Sequence, residues 1–484
     1  MIISLVVCIG MVLVAMLMRG LGLPKLNAVS AFTTGWVSML IVAGVFGGAS
    51  RGISDLTWAM ILTGWASLVI GAFAGWFITG PPRALAPARA ITIDLVRARK
   101  IHLLLTGAFV VYVAVQLANA LPLIATSGGW QVVFSSGGSA YRRASLEQSL
   151  EQSQSAFNSG SLIWSAISYV TFIAGTVATY TGAVLWRAGY RLTGVLPVVV
   201  AAFLSLVTLQ RTSVVLVSLM FFFGLAALRL SGVEIPHRGD VKASRVARYP
   251  DAEQGGSRRL RAVAASIIAA AVVTGFLYYT TEIRGGTGET AIGQQISEYL
   301  VGGVAGLDSR NTQGADWPAL PGEYPGTTDP SPAMGGYTFS GLWAVLYRLG
   351  VPVELTRFNL NFTHVELYGK PTITNVATAF GRFYLDFRWA GLIIVPFLLG
   401  WATSSFQRRL AGSNRIGRVP VVAYLLTIIF WSYFSSWTSD LRQLLVAVLG
   451  GVVLTWAVRR QSDDNAATNA QRVTSSVSAP MRRR

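Results

Sequence analysis

Long apolar runs separated by short polar connections dominate the chain. A helix that crosses a bilayer needs about 20 apolar residues. Eleven stretches meet that need: 2–18, 29–49, 57–79, 101–123, 162–186, 192–209, 212–230, 262–280, 388–406, 419–436 and 442–458. The pattern predicts an all-α, polytopic integral membrane protein of about 11 transmembrane helices. No basic residue precedes the first run, while Arg19 and Lys25 follow it. A secretory signal peptide has the reverse order. The run is therefore expected to be a span with its N-terminus outside and, after eleven crossings, a cytoplasmic C-terminus.

The polar connections bear on that orientation. One alternating set comprises 19–28, 80–100, 187–191, 231–261, 407–418 and the tail 459–484. With Arg229 at the end of its helix, this set holds 27 Lys+Arg against 7 Asp+Glu; the remainder holds 12 against 14. The positive-inside rule places the basic set in the cytoplasm. The formal net charge of +18 then reflects topology and affinity for anionic lipid, and no nucleic-acid partner is expected. Composition agrees, with 52% hydrophobic and 12% charged residues, where a soluble domain carries roughly 25% charged. The single cysteine, Cys8, excludes a disulfide within one chain.

The expected organisation is one membrane domain over 1–458 and a disordered basic tail over 459–484. Two long exterior loops interrupt the domain, at 124–161 and at 281–387, the second between spans 8 and 9. The cytoplasmic loop 231–261 is polar and Arg-rich. The loop 281–387 is rich in Gly, Pro and Thr, yet Trp317, Tyr324, Tyr337, Phe339, Trp343, Tyr347, Phe358, Phe362 and Tyr368 recur through it. A disordered linker would lack them, and a folded loop of this length is usually functional.

Charges at the exterior ends of spans are the candidate chemistry, because a charge near hydrocarbon is costly and normally faces a cavity, partner or substrate. They are Arg211, Arg284, Arg382, Asp386, Arg388, Asp440 and Arg442. Asn375, Thr378, Arg382, Asp386 and Trp389 recur at helical spacing and predict one polar face. An Arg382–Asp386 pair at i,i+4 that only lets the helix end be buried fits the same spacing. Of the three histidines, His102 and His237 are expected to snorkel or be solvated. His364 lies in the large exterior loop near Glu366. The three scattered histidines make no His-rich site and the exterior acids show no DxD or DxxD pair, so no metal and no cofactor is expected. Exterior arginines suit a diphosphate or carboxylate ligand. Aromatics interleaved with Gly and Asn suit sugar rings.

The run Pro371-Thr-Ile-Thr-Asn-Val-Ala-Thr-Ala-Phe-Gly-Arg-Phe-Tyr-Leu-Asp386-Phe-Arg-Trp-Ala-Gly391 resembles the late motif of bacterial oligosaccharide repeat-unit polymerases, the Wzy-type O-antigen and capsule polymerases. That family tends to read threonine-asparagine, an aromatic stretch, then aspartate-phenylalanine-glycine before a span. Here Arg388 stands where the family often has glycine. An arginine between two mid-chain spans, as Arg211 is, and a large late exterior loop also match. The resemblance is specific over about 360–400, weaker at 205–220 and otherwise architectural.

The resemblance implies glycan transfer outside the cytoplasmic membrane, in polysaccharide biosynthesis. Donor and acceptor are undecaprenyl-diphosphate-linked oligosaccharides, with a flippase and a chain-length regulator as partners. In that reading Arg211, Arg284 and Arg382 bind the diphosphate end of the substrate, and Arg442 is a further substrate-binding residue. Asp386, then His364, then Glu366 are the candidate bases. Asn375, Thr374 and Tyr384 orient substrate. An O-antigen-ligase-like transferase is the nearest rival. A polysaccharide or lipid transporter is the rival from a different class; it predicts spans broken by Gly or Pro and charges in mid-span.

Overall fold

Inside hydrocarbon, backbone N–H and C=O groups find partners only within their own helix or a closed barrel. The apolar runs accordingly coil into helices in the computed structural model of the chain. The structure describes residues 2–46, 53–80, 91–126, 128–131, 162–208, 212–233, 235, 302–308, 338–339, 342, 346, 349–351, 363–367, 370–374, 378–413, 415–434 and 441–460. The predicted span 262–280, the loop 231–261 beyond Ile235, His237 and the tail after Arg460 lie outside these residues.

The helices are α1 (Ile2–Gly20), α2 (Ala28–Phe46), α3 (Asp55–Ile78), α4 (Leu95–Thr126), α5 (Leu162–Arg187), α6 (Arg191–Thr208), α7 (Thr212–Ser231), α8 (Ala379–Leu410), α9 (Val419–Trp431) and α10 (Leu441–Trp456). Five stretches are long and apolar enough to cross a membrane: α3, α4, α8 and most of α5 and α7. The others are shorter apolar helices. Large apolar side chains point outward along them, among them Leu13, Ile70, Val111, Phe203, Phe222 and Val452. A soluble protein rarely exposes so much contiguous apolar surface. These are the features of a membrane-embedded helical protein.

Two antiparallel ribbons complete the described residues. β1 (Ile91–Ile93) pairs with β4 (Val458–Arg460), and β2 (Thr363–Leu367) pairs with β3 (Lys370–Thr374). The β1–β4 ribbon ties two segments of the basic set together. Other contacts at the same end join further members of that set. Gln407 donates to the Leu26 carbonyl, Gly412 N–H to the Leu230 carbonyl, and Arg187 to the Leu228 carbonyl. Arg97 lies over the Trp456 ring and Arg408 over Trp76. The described parts of the basic connections thus gather at one end of the bundle.

The most extensive helix contact is between α3 and α8. Small residues permit it. A Cβ added at Gly71 would land on the Phe397 carbonyl oxygen, one at Gly75 on the Trp401 carbonyl, and one at Gly400 on the Leu68 carbonyl. Backbones this close gain van der Waals contact that lipid tails do not supply.

His102 departs from expectation. It is fully buried, neither snorkelling nor solvated. The reason is that α4 begins at Leu95, before the predicted start of the span at residue 101. That puts His102 in the second turn of the helix. Its Nε2 meets the Thr193 carbonyl at 2.8 Å, and its Nδ1 meets Thr181 Oγ1 at 3.0 Å. Nε2 donates to the Thr193 carbonyl, which only accepts, while Nδ1 also lies 3.2 Å from the Ala178 carbonyl, the acceptor of the Thr181 hydroxyl. One ring therefore joins α4, α5 and the first turn of α6.

Candidate functional site

Opposite the basic end, the start of α8 is drawn deep into the bundle. Thr378 caps it: its hydroxyl accepts from the Gly381 N–H, which satisfies one orphan donor of the first turn. The Ala379 N–H donates to the Ser432 carbonyl at 2.8 Å. The Ser432 hydroxyl in turn accepts from the Trp36 indole at 2.9 Å. Phe380 packs on Trp36, and Trp36 on Phe32 and Tyr433, with ring centroids 5.0–5.2 Å apart. A buried aromatic cluster from α2, α8 and the turn after α9 therefore fixes the entry of α8.

Contacts with α3 measure how deep this start lies. Phe380 lies against Gly64, Phe397 against Gly71 and Trp401 against Gly75. The two helices thus run parallel. Between the first two contacts α3 advances seven residues and α8 advances seventeen. A break takes up the difference. At Arg388 the backbone leaves the helix with φ 54° and ψ −140°. The segment 379–387 consequently adds little depth, and 389–410 forms the long second segment. Gly64 is nine residues into α3, about 13 Å along its axis at 1.5 Å per residue. The break lies at about that depth.

Four polar or charged side chains meet there. Asp386 is 0% exposed, and its Oδ2 accepts from the Thr338 N–H. Arg382, one turn earlier, is largely buried and feels the Asp386 charge as its attractive partner. Arg388 lies over the Tyr384 ring, 5.6 Å from guanidinium carbon to centroid. Tyr384 meets Trp389 edge to face at 6.0 Å. Phe380, Phe383 and Leu385 are buried too, so the segment is enclosed on most sides. The expected polar face from Asn375 to Trp389 is not continuous: the helix starts at 379 and breaks at 388.

Arg388 is the one non-glycine residue with positive φ among the described residues. That backbone region is essentially glycine's, and another residue there costs about 1–3 kcal/mol. Gly391 shows why it persists. A Cβ there would collide with the Phe383 carbonyl, so the two segments of α8 press against each other across the break.

Pieces of the long segment between α7 and α8 cover this region. Residues 302–308 are helical, with Val304 and Leu307 buried. A Cβ at Gly381 would meet Leu307 at 3.5 Å, and the Tyr433 hydroxyl bonds the Val304 backbone. Asp308 Oδ1 accepts from the Ser54 N–H at 2.8 Å and from its hydroxyl at 2.5 Å, at the N-cap of α3. Two carboxylates, Asp308 and Asp386, therefore clasp the covering segment to the bundle.

The structure brings together Arg382, Tyr384 and Asp386 among the sequence candidates. His364 and Glu366 lie on β2, paired with Ile373 and Pro371, and Thr374 ends β3 opposite Thr363. Arg442 is the second residue of α10. Arg211, Arg284 and Asn375 lie outside the described residues. Asp308, Ser54 and Thr338 are not among the sequence candidates. Only the serine ahead of Asp55-Leu-Thr57, a helix N-cap pattern, carried a signal. Among the described residues no group of three or more His, Cys, Asp or Glu could hold a metal ion.

Fold and site together define a helical membrane protein with a broken, charge-bearing span. Comparison finds no match to a known family, to a curated protein or to a solved structure.

Proposed function

We propose that the protein polymerises oligosaccharide repeat units carried on undecaprenyl diphosphate, at the outer face of the cytoplasmic membrane. The end bearing the α8 break faces outward, and the basic end faces the cytoplasm, in keeping with the positive-inside rule. The observation that supports this reading is the grouping of Arg382, Tyr384, Asp386 and Arg388 around a break inside a span. Charges so placed serve a substrate or ion path by default. Arg382 stabilises charge building on the diphosphate leaving group. The buried hydrogen bond of Asp386 to the Thr338 N–H favours a positioning role for that carboxylate. His364 and Glu366 are then the better candidates for the base that deprotonates the acceptor hydroxyl.

One observation favours a second reading. A broken helix with charges well below the end of its neighbour also suits a transporter of lipid-linked glycan. Deletion in the native host separates the two. Gel analysis of surface and lipid-linked glycans would show loss of long polymer with single lipid-linked units retained at the outer face for a polymerase. Units trapped at the inner face would indicate transport. Unchanged length with lost attachment would indicate a ligase. Unchanged glycans would end the proposal.

A further inference from the structure

Arg388 pairs a glycine-like backbone conformation with the side chain richest in hydrogen-bond donors. Glycine would satisfy φ 54°, ψ −140° without strain. The surroundings hold the conformation in place: Gly391 is pressed on the Phe383 carbonyl, and Asp386 is fixed by the Thr338 N–H. The guanidinium carbon lies over the Tyr384 ring at 5.6 Å, and Tyr384 meets Trp389 edge to face. The planar N–H fork of arginine suits bidentate pairing with phosphate oxygens. Its position adds the direction of approach. Arg388 falls in sequence between the buried Leu385 and Asp386 and the outward apolar residues Trp389, Ile393 and Ile394, which are 39%, 49% and 54% exposed.

We infer that Arg388 binds the phosphate or diphosphate of a lipid-borne ligand that reaches it from the apolar side of α8. A strained backbone held in a packed site points to a functional constraint on the side chain. The inference rests on the proposed function for the identity of the whole ligand; the anionic, lipid-borne class rests on Arg388 and its neighbours.

The test uses the full chain in phosphatidylcholine nanodiscs, with geranylgeranyl diphosphate as probe. Arg388→Gly is expected to melt at or above the wild-type temperature while binding the probe at least about tenfold more weakly. Arg388→Lys keeps a charge without the fork and is expected to fall between the two. Unchanged binding by Arg388→Gly, or no binding by the wild type, overturns the inference. A markedly lower melting temperature for Arg388→Gly also overturns it, since the side chain would then serve the fold. Inorganic pyrophosphate binding as tightly as the probe would overturn the lipid-borne part. Equal competition by phosphatidylglycerol would make the ligand an ordinary anionic lipid and overturn the diphosphate part. Probe binding through Arg388 alongside unchanged glycans in the deletion strain would uphold this inference and sink the polymerase reading.

Discussion

Asp386 allows two roles to be separated by stability alone. Its carboxylate is fully buried, accepts from the Thr338 N–H and lies near the Arg382 guanidinium. Removing it takes away a charge-assisted hydrogen bond of about 1.5–3 kcal/mol. It also leaves Arg382 as a buried charge without that partner, and breaking a buried pair on one side costs about 3–5 kcal/mol. The terms overlap, so Asp386→Ala is expected to lose about 4 kcal/mol. Asp386→Asn can still accept from Thr338 through its amide oxygen and should lose about 3. Replacing both partners, in Arg382→Met/Asp386→Asn, removes the uncompensated charge. The double variant should recover at least about 1 kcal/mol relative to the sum of the single losses. The assay is the apparent melting temperature of the detergent-solubilised protein, read as the fraction still monodisperse after heating. Membrane proteins unfold irreversibly, so all variants are compared at one heating rate. Wild-type stability of Asp386→Asn, with losses that simply add in the double variant, would refute the structural role. That result would return Asp386 to the first place among candidate bases.

Two further outcomes follow from packing. Gly71→Leu drives a side chain into the Phe397 carbonyl and should cost about 3 kcal/mol, whereas Gly107→Leu, with nothing within 4 Å of its added Cβ, should leave the melting temperature unchanged; equal behaviour of the pair would refute the close α3–α8 approach. His102→Ala removes the ring that joins α4, α5 and α6 and should cost about 2–4 kcal/mol, and an unshifted melting curve would refute that joint.

The helices were legible because an apolar run has few ways to satisfy its backbone in lipid. The break at Arg388 was not, because its cause is tertiary. Helices usually kink at Pro, at a π-bulge or at an inserted group. Pro396 lies inside α8, but the break falls eight residues earlier, where Gly391 meets the Phe383 carbonyl. Periodicity reads Asn375 to Trp389 as one face for the same reason: spacing carries no knowledge of what presses on the helix. Arg382 and Asp386 could be found as charges beside a span, but their depth could not, since depth depends on the register against α3. Asp308 had no signal at all; its role exists only because the chain folds it onto Ser54.

Register against α3 puts Tyr384 about 13 Å from the N-terminal end of that helix by rise per residue, and non-helical backbone at such depth is tolerated only where it is buried in protein or lines a water-filled cavity. The two surfaces of α8 should therefore meet different solvents. Tyr384 is half-buried at the break, whereas Ile394 is 54% exposed on the outward face. Thiol reagents attack the thiolate, which needs water to form. A cysteine facing a polar cavity reacts, and one facing hydrocarbon does not, however exposed it is. The native background is quiet, since the single cysteine, Cys8, is itself buried. In intact membranes Tyr384→Cys is expected to react with a small charged methanethiosulfonate at least about tenfold faster than Ile394→Cys, in inverse order to their exposure. Faster labelling of Ile394→Cys would mean that water, not lipid, covers the apolar face of α8, and the membrane reading of that helix would fail. Comparable inertness at both positions would leave the helix in the membrane but close the cavity, and with it any aqueous route to Arg382.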